Sequence, residues 1–98
     1  MHTNVNFSPE DLKRLYWHSR RGMLELDLLL VPFAQSELAT LDAQSLQMYR
    51  ELLAEEDQDL FLWLMRREPA PLPRLQHIVN MILDSNAKAG AAGLTDTP

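Results

Sequence analysis

The stretch from Met23 to about Leu38 does most to limit what this chain can fold into. Leu24, Leu26, Leu28, Leu29 and Leu30 are followed by Val31, Phe33 and Ala34. As a helix this run is apolar nearly all round, and such a helix is expected to be central and largely buried. Leu24-Glu25-Leu26-Asp27-Leu28 also alternates as a strand does. No other segment offers a convincing partner strand, so the helix is the preferred reading. Pro32 sits inside it. Proline lacks an N–H and its ring clashes with the carbonyl four residues back, here Leu28, which predicts a kink or a break.

The other segments read as helices that could surround this one. Ser8-Pro9-Glu10-Asp11 is a helix start: a capping serine, a proline at the first helical position, and acids at the positive end of the dipole. Leu12, Leu15 and Tyr16 then share a face, and Gly22 is the natural stop. Asp42 is positioned to cap a third helix to about Ala54, with Leu46, Tyr49, Leu52 and Leu53 at helical spacing. Glu55-Glu56-Asp57 interrupts it, and Asp57 is expected to cap a short fourth helix from Gln58 to Arg67. Pro69-Ala70-Pro71-Leu72-Pro73 is an extended connection. A fifth helix carries Leu75, Ile78, Val79, Ile82 and Leu83 on one stripe and should fade near Ala89-Gly90. The expectation is an all-α protein: a compact five-helix bundle forming a single domain over 1–89, with a disordered tail over 90–98.

Composition narrows the function. The net charge is −5 and the pI about 5.0. That argues against nucleic acid and against anionic lipid as partners. There are no cysteines, so thiol catalysis, iron–sulfur ligation and cysteine zinc sites are excluded. Neither a signal peptide nor an Arg-rich transit pattern is apparent, and the apolar runs Leu28–Phe33 and Leu60–Met65 are too short to span a bilayer. A cytoplasmic bacterial protein, with no direct membrane insertion, is the expectation. His2, His18 and His77 have no metal-ligand spacing, and His77 falls opposite the apolar stripe of its helix. No Ser/His/Asp set and no glycine-rich phosphate loop stands out. Glu55-Glu56-Asp57-Asp59 lacks the glycine and spacing of a calcium loop. Phe61 and Trp63 read as core.

The unusual segment is Arg20-Arg21-Gly22-Met23-Leu24-Glu25-Leu26-Asp27. Glycine at a helix junction lets another backbone approach closely. Arg21 can offer a planar fork of donors to a carboxylate, phosphate or carbonyl. Glu25 and Asp27 lie among leucines, where an unpaired buried charge is costly, so each should be paired, hydrogen-bonded or exposed. Arg14, Trp17 and Arg21 follow at spacings of three and four on the first helix and can share a face. Trp17 reads equally as an exposed interface anchor or as a partly buried ring covered by arginine stems. Chemistry alone also allows a capping glycine beside solvated charges, the commoner arrangement.

These residues carry a resemblance. Arg14-x-x-Trp17-x-x-Arg20-Arg21-Gly22-Met23-x-Glu25-Leu26-Asp27 contains an Arg-Gly-x-x-Glu signature. Pro32-Phe33 follows, then Leu52-Leu53-x-x-x-Asp57-x-Asp59-Leu60-Phe61-x-Trp63-Leu64-Met65. Over roughly residues 10 to 85 the chain resembles the succinate dehydrogenase assembly factor family, also called FAD assembly factors. It departs from the common pattern at Gln58, where members often carry proline.

The resemblance implies a five-helix bundle. It implies binding to the flavoprotein subunit of succinate dehydrogenase, with fumarate reductase as a further candidate client, and promotion of the covalent bond between a flavoprotein histidine and FAD. It places Arg21, Gly22 and Glu25 against the partner near its flavin, joined by Arg14. Trp17, Arg20, Met23 and Asp27 are weaker carry-overs. No catalytic residue, metal or stably bound cofactor of its own is expected, and the protein is expected to be a monomer. Other classes remain open: an antitoxin-like interaction module, a flavin carrier, and a helix-turn-helix DNA binder that the charge disfavours.

Overall fold

The computed structural model describes residues 7–96, with side chains described as far as Lys88. In chain order the elements are α1 (Pro9–His18), α2 (Leu24–Glu37) running into a 3₁₀ turn (Leu38–Thr40), α3 (Ala43–Leu53), α4 (Asp57–Leu64) and α5 (Pro73–Asp96). No strand occurs among the described residues. The five-helix, all-α expectation holds. Helix α5 runs on to Asp96, past the fade expected near Ala89-Gly90 and into the tail expected over 90–98, and over this last stretch side chains are not described.

Local chemistry sets the boundaries. Ser8 and Asp11 form a capping box: the Asp11 N–H donates to Ser8 Oγ at 3.1 Å, and the Ser8 N–H donates to Asp11 Oδ2 at 3.0 Å. Asp42 accepts from the Ser45 N–H at 2.8 Å and starts α3. The start of α4 differs from expectation. Its cap residue is Glu56, without a side-chain cap bond, and Asp57 is already helical. The Asp57 carboxylate is used elsewhere, as described below.

Helix α4 also stops at Leu64 rather than Arg67. Arg66 turns into the left-handed region at φ 60°. The Arg67 N–H then donates to the Leu62 carbonyl at 2.8 Å and the Arg66 N–H to Trp63 at 3.2 Å, the bond pair of a Schellman turn. In the proline connection, the Ala70 N–H donates to Gln76 Oε1 at 2.7 Å, and Pro73 serves as the first residue of α5.

Helix α2 contacts α1, α4 and α5, so it is central in connectivity. Leu26, Leu30, Phe33 and Ala34 face inward and are buried. Each such leucine contributes about 1.5–3 kcal/mol by leaving water. The expectation that α2 is largely buried is corrected on its other face, where Leu24 is 67% and Leu28 60% exposed. The helix also passes through Pro32 without a break. The carbonyl that proline deprives of a partner belongs to Leu28, on the face that water reaches.

One polar link runs through the core. Ser19 is wholly buried, and its hydroxyl donates to the Leu15 carbonyl at 2.8 Å. Its single proton is thereby used, so the Tyr49 hydroxyl, 2.6 Å away, donates to Ser19 Oγ. Tyr49 also packs on Phe33, with ring centroids 5.4 Å apart. Burial pushes the Tyr49 phenol up to about 12, opposed by the Ser19 hydrogen bond and the Arg21 charge. The unfolded phenol ionises near ~10, so this contribution is intact below that pH and is lost as pH rises toward the folded value. Urea titrations at increasing alkaline pH should show a loss of about 2–3 kcal/mol from this group. Tyr49→Phe should remove that component of the slope, while costing about 1–2 kcal/mol at neutral pH by taking away the serine's donor.

Candidate docking site

The site is built on the connection between α1 and α2. Helix α1 ends at His18, four residues before Gly22, so Gly22 is not its stop and Arg21 is not on its face. The α1 C-terminus is instead held by the Ser19 N–H, which donates to the Leu15 and Tyr16 carbonyls. Residues 19–23 then cross as a loop into α2.

Arg21 fixes that loop. Its side chain is only 16% exposed. Nε donates to Asp57 Oδ1 at 2.7 Å, Nη1 to the His18 carbonyl at 3.2 Å and the Leu53 carbonyl at 2.9 Å, and Nη2 to the Glu55 carbonyl at 2.9 Å. The guanidinium thus ties the loop to the end of α3 and the start of α4. Four of its five N–H donors are used internally. The Arg21 backbone N–H donates to Asp27 Oδ1 at 2.7 Å, which closes the loop from the α2 side. Arg21 and Asp27 therefore position the loop rather than reach outward.

Gly22 lies at the loop's turning point with φ 88°, and a Cβ built there would meet nothing within 4 Å. The left-handed backbone needs glycine in the free protein, and the space beyond it is open. Met23 follows as the extended cap residue of α2 and is partly buried against the core. Glu25, in the first turn of α2, is exposed and makes no hydrogen bond or ion pair among the described residues. Met23 and Glu25 line an open pocket of about 440 Å³ with Gln58, Phe61 and Leu62 of α4. Phe61 is thus only partly core, and Arg67 lies over its ring at 5.7 Å. Trp63 is buried as expected.

On α1, Trp17 is 65% exposed, which decides between its two readings in favour of an exposed ring. Its edge meets Tyr16, with centroids 6.4 Å apart. Arg20 is exposed and sits 5.9 Å from the Tyr16 ring centre. The nearby Arg20 guanidinium, with the Gln35 amide that donates to the Tyr16 hydroxyl at 3.3 Å, lowers the Tyr16 phenol from its ordinary value. Arg14 is exposed on α1 and shares a pocket with Arg21, whereas Trp17 does not line it.

The structure thus gathers Gly22, Met23 and Glu25 at one outward edge, turns Arg21 and Asp27 inward, and leaves Arg14, Trp17 and Arg20 on exposed positions nearby in sequence. Sequence reasoning missed Asp57 as the loop's anchor and the α4 residues beside Glu25. The acidic run at 55–59 was the available signal, and it read equally well as a helix break.

The chain thus holds one loop by internal ion pairing and leaves its glycine and glutamate open. Comparison with known proteins gives the family. Residues 13–86 match the family described as flavinator of succinate dehydrogenase. The FAD assembly factor SdhE of Pseudomonas aeruginosa is 57% identical over 74 residues, covering 76% of this chain and 88% of that protein. Its counterpart in Pseudomonas putida is 54% identical over the same shares. The SdhE of a Serratia strain is 35% identical over 81 residues, covering 83% and 92%. The chain belongs to this family. No helix among the described residues is long and apolar enough to cross a membrane.

The geometry separates a structural arginine from an open glutamate within one signature. Arg21→Ala should lower unfolding free energy by about 2–4 kcal/mol, because it strands Asp57 and three carbonyls. Glu25→Ala should stay within about 0.5 kcal/mol of the parent. Urea denaturation of the two variants checks both. In the same assay Gly22→Ala should lose about 1–2 kcal/mol, the strain of a left-handed alanine.

Proposed function

We propose that this protein is an FAD assembly factor that binds the flavoprotein subunit of succinate dehydrogenase, and that of fumarate reductase, and promotes covalent attachment of FAD. It acts as a monomer in the cytoplasm and is not itself an enzyme. The observation that carries this reading is the clamped loop with its open side: Gly22 at φ 88° facing empty space and an exposed, unpaired Glu25 beside it. A loop held in advance loses little freedom on binding, so more of each contact appears as affinity.

The chemistry stays with the partner, whose histidine and FAD react. This chain stabilises the partner conformation in which the two stand as a near-attack pair. Gly22 permits close backbone approach and Glu25 supplies a polar contact. Exposed Trp17 and Leu24 are suitable apolar anchors, since large exposed side chains at a centre of contact contribute most to binding. The arginine of the signature contributes indirectly, by holding the loop that presents the other two.

The test mixes purified protein with apo flavoprotein subunit, FAD and a dicarboxylate, and follows covalent flavin by in-gel fluorescence. Labelling should be faster and fuller with the protein present. Glu25→Ala should reduce it about tenfold or more while keeping its helicity, a change of about 1.4 kcal/mol in coupling. Gly22→Glu should fall further than Gly22→Ala. Full labelling by a folded Glu25→Ala variant would overturn the site. No stimulation by the parent with a competent client would overturn the function.

A further inference from the structure

A second recess lies away from the Met23–Glu25 edge. Between α1 and α3 is an open pocket of about 400 Å³. Its floor is apolar, with Leu15 and Leu53 buried and Phe7 packed against the core. Its rim is basic: Arg14 and His18 from α1, Arg50 from α3, and the flank of Arg21. One carboxylate, Asp11, stands among them. In a chain of net charge −5 this is a marked local reversal of sign.

The carboxylate offsets one of the rim's charges, standing within ion-pair distance of Arg14, and leaves the other guanidinium unbalanced. Asp11 Oδ2 accepts the Ser8 N–H of the α1 cap. That bond, with the Ser8 side-chain contact, lowers the Asp11 carboxyl below its ordinary value. Its other oxygen is 3.9 Å from Arg14 Nη1, beyond hydrogen-bond reach. Arg50 gives one N–H to Gln47 Oε1 at 2.7 Å and lies over the Phe7 ring at 5.0 Å, which holds its planar group beside the recess. Neither Arg50 nor His18 pairs with a carboxylate among the described residues. Two guanidinium groups with unused donors therefore flank an apolar floor.

We propose that this recess receives an acidic side chain of the partner polypeptide, an aspartate or glutamate beside an apolar residue, as a second point of attachment. The proposal rests on the reading that the protein docks on another protein. A guanidinium matches a carboxylate in a planar, two-bond pairing, and Arg14 and Arg50 offer that geometry from two helices. The floor selects a peptide over a free small acid, because only a flanking apolar side chain would take the partly exposed Phe7 ring and Ala54 methyl out of water. Such a contact raises association rate and makes binding salt-dependent. It would orient the body of the bundle while the loop engages the flavin region.

The test uses Arg50→Glu, which lies on an exposed position of α3 and outside the loop. Affinity for apo flavoprotein should weaken about tenfold or more, equivalent to about 1.4 kcal/mol, and its dependence on salt should flatten. Parent-like affinity and salt response in Arg50→Glu, with the parent binding its client, would overturn the recess and leave the loop reading standing. If the parent itself does not bind, that reading fails, and a titration of the protein alone decides the recess. There, acetyl-Leu-Glu-Leu-amide should move the Arg14 and Arg50 Nε–H resonances saturably, and the Leu-Gln-Leu analogue should not. Absence of such shifts, or equal shifts with succinate, would overturn the peptide assignment.

Discussion

The Arg21 guanidinium is the interaction around which the rest is arranged. It joins residues 36 positions apart, since its Nε meets Asp57 while its Nη groups take carbonyls from His18, Leu53 and Glu55. Open carbonyls at the ends of α1 and α3 and in the α3–α4 connection converge on one cation. Helix C-termini carry partial negative charge, so a guanidinium is well suited to collect them. The loop after α1 has little apolar surface to hold it by packing. An ion pair that is mostly shielded from water does that work, together with the Asp27 bond to the loop backbone.

Helix α2 shows a second balance. Its inward face supplies Leu26, Leu30 and Phe33 to the core, and its outward face keeps Leu24 and Leu28 in water. A chain of this size has too few helices to enclose a helix that is apolar on every side. An exposed apolar face adjoining the clamped loop is the kind of surface that a binding partner covers. The same helix can therefore serve the bundle on one side and a complex on the other, with Pro32 tolerated because its orphaned carbonyl belongs to the wet side.

The helices were legible because their signals are local. Ser8, Asp42 and the period of Leu75, Ile78, Val79 and Ile82 each state an element within a few residues. The end of α1 was not legible. Ser19 closes the helix, and its hydroxyl is held by Tyr49, thirty positions away, which no local pattern announces. The acidic run at 55–59 suggested a cap at Asp57, but a distant arginine takes that carboxylate and leaves Glu56 at the boundary. In the site, Gly22 and Glu25 stood out in the sequence, while the inward role of Arg21 depended on partners from two other elements. Trp17 could not be assigned to core or surface until its neighbours were placed.

The open space at Gly22 has a consequence in terms of handedness. The residue holds a backbone angle that is natural for a D-amino acid and strained for an L-amino acid. A D-alanine placed there by chemical synthesis would hold that angle without backbone strain, and it would narrow the freedom of the unfolded state. An L-alanine methyl would have room there, but it would project into the open space beside the loop. Chirality at this one carbon therefore divides two demands that glycine satisfies together: the turn the chain must make for itself, and the emptiness it must keep for whatever approaches.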